Sequence, residues 1–204
     1  MVSVLTGDII NSRKAKSPKE WQDLLRHALS RVAPTHNWEI FRGDSFQMEL
    51  DRPEDSLKAA IYIKACIKTI KGLDVRIAIG IGEKNYIGKK VTESYGDAYL
   101  FSGEKFELLK QEKQTLAINT GDRDFNEIFN MLFKLALAIM DNWTPNSASL
   151  IKVLLENDNL SQKDLGGILG IGQSSVSERY NRAYTSEVLA MNDLFVKKVK
   201  TLTQ

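Results

Sequence analysis

Two Gly-Asp steps hold the residues of this sequence best placed for chemistry. The first closes an apolar run, Val4-Leu5-Thr6-Gly7-Asp8-Ile9. The second, Arg42-Gly43-Asp44-Ser45, lies between Trp38-Glu39-Ile40-Phe41 and Phe46-Gln47-Met48-Glu49-Leu50. Two short aromatic and apolar runs around a Gly-Asp tip predict a β-hairpin. With the hairpin paired beside the first strand, Asp8 and Asp44 converge. Neighbouring carboxylates repel, and a hard divalent cation such as Mg²⁺, Ca²⁺ or Mn²⁺ takes oxygen ligands of this kind, so the two are candidate metal ligands. Asn11, Ser12 and Arg13 follow the first acid in a polar stretch suited to a nucleotide phosphate, and Arg42 precedes the second. Each residue also has a plainer use. Asp8 and Asp44 are turn formers, Arg42 is a partner for a carboxylate, and the polar stretch makes a solvated loop.

A second constellation lies near the C-terminus. Ser161-Gln162-Lys163-Asp164 reads as the cap of a short helix, Gly170-Ile171-Gly172 as a turn, and Gln173-Ser174-Ser175-Val176-Ser177-Glu178-Arg179-Tyr180 as the opening of a second helix. Leu165, Leu169, Ile171 and Val176 are spaced to hold the two together. That is the pattern of a helix-turn-helix, whose second helix presents its first residues to base edges. Gln173, Ser174, Ser175 and Ser177 are the base-facing candidates, and Arg179 and Arg182 the phosphate contacts. The pattern departs from the usual one at Gly166, where Ala is common. Arg179 takes a position that is usually apolar, which leaves Tyr180 or Ala183 to complete the core. From Thr144 onward seven Lys or Arg face six Asp or Glu, a net of +1, far from a basic footprint. Such a module also serves as a dimer contact, the alternative to DNA.

The elements that must position these residues follow from periodicity. Residues 2–9 form a strand, and Ser17-Pro18-Lys19-Glu20 opens a helix with Trp21, Leu24, Leu25, Ala28, Leu29 and Val32 on one face. After the hairpin, Pro53-Glu54-Asp55 start a second helix with Lys64 and Lys68 in its apolar stripe, and Gly72 stops it. Residues 74–82 alternate Val75, Ile77, Ile79 and Ile81 with mostly small residues, which suits a central strand covered closely on both faces. Residues 96–111 predict a third helix and Leu116-Ala117-Ile118 a closing strand. The result is an α+β fold with helices on one sheet face. Residues 122–142 form a long apolar helix, a connector or a dimer interface. Thr144-Pro145 starts another helix. The expected division is 1–121, 122–143 and 144–204.

This ordered set resembles known proteins. Hydrophobic-Gly-Asp-Ile, a helix, a Gly-Asp hairpin, the 75–80 strand and Tyr95-Gly96-Asp97-Ala98 opening a helix are together similar to the ferredoxin-like palm of class III nucleotidyl cyclases and diguanylate cyclases. The whole chain also resembles the SatD family of bacterial proteins. The palm resemblance implies that Asp8 and Asp44 bind metal. It departs at the helix from Gly96, where the cyclases' Asn and Arg positions fall on Leu100 and Glu104. Leucine offers no hydrogen bond and glutamate has the wrong sign beside a polyphosphate. The expectation is a DNA-binding regulator, a homodimer, whose palm holds Mg²⁺ or Mn²⁺ with a nucleotide. The rivals are a two-metal nucleotidyltransferase or cyclase and a non-catalytic interaction protein.

Composition sets outer limits. The 204 residues carry a net charge of +2, too little to demand a polyanion for the chain as a whole. Cys66 is the only cysteine, so no intrachain disulfide forms and a Cys-rich zinc site is excluded. A cytoplasmic protein is expected. Gly7 and Asp8 break the first apolar run too early for a signal peptide, and no run approaches a membrane span.

Overall fold

The computed structural model describes residues 1–15, 17–157 and 159–202. Five strands form one mixed sheet: β1 (Val2–Ile10), β2 (Trp38–Phe41), β3 (Ser45–Leu50), β4 (Asp74–Gly82) and β5 (Leu116–Thr120), in the order β2-β3-β1-β4-β5. β1 is the central strand, antiparallel to β3 and β4, and β5 closes the sheet parallel to β4. β2 and β3 are the expected hairpin, with Trp38 opposite Met48 and Phe41 opposite Ser45. Arg42 and Gly43 turn it through the left-handed region, at φ 52 and 90.

The alternation along β1 and β4 sorts their side chains onto two faces. Leu5, Ile9, Val75, Ile77, Ile79 and Ile81 join the main core with α1 (Pro18–Val32) and α2 (Ser56–Lys68). Helices are expected on one sheet face; they stand on both, because the small residues of β4 leave room for a helix on the second. α3 (Asp97–Glu112) covers this second face, where small residues let it lie close. A Cβ on Gly80 would stand 2.1 Å from the Ala98 carbonyl oxygen, so the backbones pack at a distance no larger residue allows. Thr6 and Ser102 hydroxyls meet across the same contact at 3.1 Å. Ser17 caps α1 by backbone geometry and Pro18 opens it, but the side-chain half of the expected capping box does not form.

The chain continues as helices: α4 (Arg123–Met140), α5 (Pro145–Glu156), α6 (Gln162–Leu169), α7 (Gln173–Arg182) and α8 (Thr185–Leu202). Asp122 caps α4, Thr144 caps α5, and Ser161 with Asp164 makes a complete capping box on α6. The sequence patterns did not resolve α8. Its Phe195 packs edge-on against Phe125 and Phe129 of α4, centroids 6.1 and 5.2 Å away. α5 lies along α2, and one core runs from the sheet through α4, α5, α7 and α8. Trp143 anchors the corner between α4 and α5, its indole N–H donating to the Ala183 carbonyl at 3.0 Å. Among the described residues no helix is long and apolar enough to cross a membrane.

Candidate functional site

The site is built where β1 leaves the sheet. Asp8 stands on β1 opposite Ser45 of β3 and Arg76 of β4. Gly7 explains why a Gly-Asp step is used here. A Cβ at position 7 would lie 2.5 Å from the Phe46 ring and 2.7 Å from the Arg76 carbonyl. Phe46, fully buried, therefore seats on β1 where a side chain would otherwise stand, and this holds the hairpin against the strand. The Asp44 carbonyl accepts the Ile9 N–H at 3.0 Å, which locks the hairpin tip beside Asp8.

The hairpin tip places Asp44 close enough for its charge to be felt at Asp8, and the environments of the two acids differ. The Asp44 carboxylate accepts the Ser12 hydroxyl at 2.5 Å. Asp8 Oδ1 is buried with no hydrogen-bond partner, and the Arg76 Nε lies 3.8 Å away, within ion-pair reach but beyond a hydrogen bond. Burial pushes the Asp8 carboxyl above its ordinary value. The positive charges of Arg76 and Lys110 pull it back, while the negative charges of Asp44 and Glu107 add to the rise. Chemically this is an acceptor in want of a donor or a cation, with the Arg76 guanidinium at its edge. Among the described residues no group of three or more His, Cys, Asp or Glu is placed to hold a metal. Any cation here would draw its remaining ligands from phosphate oxygens and water, as Mg²⁺ commonly does.

The other expected phosphate contacts scatter. Ser12 is buried and committed to Asp44. Asn11, left-handed at φ 64, gives its amide to the Gly72 carbonyl at 3.1 Å and so ties the loop to the start of β4. Arg13 and Arg42 are exposed, and among the described residues neither has an ion-pair partner, so the carboxylate pairing expected of Arg42 does not form. Leu100 and Glu104 are exposed on α3, whereas the α3 groups felt at Asp8 are Lys110 and Glu107. Sequence reasoning passed over Arg76 and Lys110. Arg76 carried a signal, being the one large cation among the small residues on that face of β4. Lys110 carried none.

At the far end of the chain, α6, the turn at Gly170 and α7 pack as a unit with α5. Gly166 now has a reason. A Cβ there would meet the Ile171 carbonyl at 2.7 Å, and the Ile171 N–H bonds the Gly166 carbonyl at 2.9 Å, so the turn folds directly onto α6. Val176 and Ala183 are fully buried and Tyr180 packs beside them, which fills the core without Arg179. Gln173 and Ser174 are exposed on the first turn of α7, Ser175, Ser177 and Arg179 are half-buried, and Arg182 is exposed in a contact with Glu178.

No curated protein matches the sequence. The model of the SatD family matches residues 2–189, which takes in the sheet, both Gly-Asp steps and the helices through the start of α8, and the chain belongs to that family.

Proposed function

We propose that this protein is a dimeric DNA-binding regulator whose sheet region, folded like a cyclase palm, binds Mg²⁺ or Mn²⁺ together with a nucleotide. The observation that carries the reading is the buried, unpartnered Oδ1 of Asp8 beside the Asp44 carboxylate. An acceptor left unmet in a folded protein costs about 1–3 kcal/mol, and a ligand that meets it is the simplest account of its persistence. Asp8 and Asp44 would hold the cation, and Arg76 and Lys110 would face the phosphate charge. Leu100 and Glu104 offer nothing to a ribose or a transition-state charge, so binding without cyclisation is the expected behaviour. The α6–α7 unit is the helix-turn-helix, with Gln173 and Ser174 toward the bases and Arg179 and Arg182 toward phosphates. The Arg182–Glu178 contact is exposed and weak enough to exchange for DNA.

Calorimetric titration of Mn²⁺ with a non-hydrolysable nucleoside triphosphate should show binding that disappears in Asp44→Asn. Wild-type protein that binds no triphosphate with Mn²⁺ or Mg²⁺ sinks the metal–nucleotide half. For DNA, Arg179→Ala should weaken binding to the protein's own promoter region and flatten the salt dependence by about one counterion. An absent mobility shift at low salt sinks the DNA half. A second reading, two-metal nucleotidyl transfer, is favoured by one feature, the Arg76 guanidinium beside Asp8, with the Lys110 charge also felt there. Turnover of ATP or GTP that vanishes in Asp8→Asn would establish it in place of the regulator.

A further inference from the structure

α4 carries two apolar faces. One, with Phe125, Phe129, Phe133, Leu137 and Met140, is buried against β5 and α8. The other is open. Ile128, Met131 and Leu135 are 56%, 58% and 64% exposed, at intervals of three and four residues, so they stand in one line along the helix. Single exposed apolar side chains are ordinary on any protein, whereas a line of them on one helix marks a surface that is covered. Leu194 of α8, 40% exposed, extends it sideways, across a groove of about 440 Å³ whose walls include Phe125, Ile128, Leu194 and Leu202.

We propose that this line is the dimer interface, with the α4 helices of two copies packed antiparallel about a two-fold axis at Met131. The occupant and its direction follow from charge. Glu127 immediately precedes Ile128 and Lys134 immediately precedes Leu135, so both flank the line on the same side, seven residues apart. Both are exposed, and among the described residues neither has an ion-pair partner. In a parallel pair, positions on the same flank fall on opposite sides of the seam, so Glu127 and Lys134 would face the partner's Leu132 and Ile139 flank and find no opposite charge. An antiparallel pair centred on Met131 sets Glu127 of each copy beside Lys134 of the other, and crosses Ile128 with Leu135 in the same arrangement. Apolar line and flanking charges are thus complementary to themselves under one two-fold operation, which is the condition for a closed isologous interface. Any other partner would have to reproduce both features. The inference deepens the dimer stated in the proposed function, and rests on that reading only for what the dimer is used for.

The test is sedimentation velocity on the full chain without DNA or nucleotide. Wild type should be a dimer, and Leu135→Glu a monomer with an unchanged circular dichroism spectrum. Glu127→Lys and Lys134→Glu should each weaken the dimer by about tenfold, through two repulsive contacts per dimer. The double variant Glu127→Lys with Lys134→Glu should return to within a few-fold of wild type, because exchanging both charges restores the antiparallel match. A wild type that stays monomeric up to about 100 μM, an affinity too weak for a specific dimer, overturns the proposal. So does a dimer indifferent to Leu135→Glu, and so does a charge-exchanged double variant no better than the singles. A protein that dimerises as described yet binds no DNA counts against the DNA reading alone.

Discussion

Two clusters of acids and bases lie within reach of β4, and they are finished to different degrees. At the start of the strand, Lys64 Nζ sits 2.7 Å from both Asp74 Oδ1 and Asp141 Oδ1, and Lys68 Nζ 3.0 Å from Asp74 Oδ2. Lys68 also donates to the Asp141 carbonyl at 2.7 Å, and Asp74 accepts the Val75 N–H at 2.8 Å. Two residues further along, Arg76 faces Asp8 at 3.8 Å, and the Asp8 oxygen is left without a hydrogen bond. Both set aspartate against a basic side chain, and both carboxylates are largely covered. The first cluster meets each charge from inside the chain, joining α2, β4 and the end of α4, and is architecture. The second leaves an acceptor open, and such exceptions in folded proteins gather where something binds.

The largest expected effect separates the two by stability. Asp74→Ala strands two buried ammonium groups and should cost roughly 3 kcal/mol in denaturant unfolding, the lower end for a broken buried pair because Asp141 still reaches Lys64. A loss under about 1 kcal/mol would mean that water, not Asp74, satisfies those lysines, and the contrast with Asp8 would lapse.

Next comes the response to ligand. Mn²⁺ with a nucleoside triphosphate near a hundredfold above its dissociation constant should stabilise wild type by about 2.7 kcal/mol. The melting temperature of Asp44→Asn should not respond, and that of Asp74→Ala should rise as wild type does from its lower start. Equal ligand shifts in wild type and Asp44→Asn would place the binding elsewhere.

The Gly-Asp half of this contrast was legible in the sequence and the pairings were not, for physical reasons. The Gly-Asp steps were readable because a strand ending and a hairpin tip are local events, and Gly7 and Gly43 mark them. Lys64 and Lys68 were visible as charges inside an apolar stripe, but Asp74 and Asp141 as their partners were not, since pairing across elements depends on register and packing. Arg76 beside Asp8 is likewise a fact of register. Lys110 depends on α3 lying close against the sheet, which the small residues of β4 announced without saying which turn of the helix would arrive. α8 escaped because Phe195 and Val199, which fix it in the core, sit in a run with several lysines and no sharp apolar period.

The smallest effect has the most telling sign. Burial raises the folded pKa of Asp8 above its ordinary 3.8, so the folded protein holds this proton more tightly than the unfolded chain. Stability contributed by Asp8 is therefore greatest in acid, where the group is neutral in both states, and is lost as pH rises through the folded pKa. Asp8→Asn is neutral at every pH. In metal-free protein it should match wild type near the acid limit and become the more stable of the two as pH rises past the raised value, because the amide never carries the charge whose burial is costly. Added Mn²⁺ and triphosphate should reverse the order, because only wild type has the charge to bind them. Chemical denaturation of both proteins across the acid-to-neutral range, with and without ligand, reads all of this. If Asp8→Asn is instead destabilised at neutral pH, then the attraction of Arg76 outweighs burial. Asp8 would then be a second structural ion pair like Asp74, and the divided picture of β4 would fall.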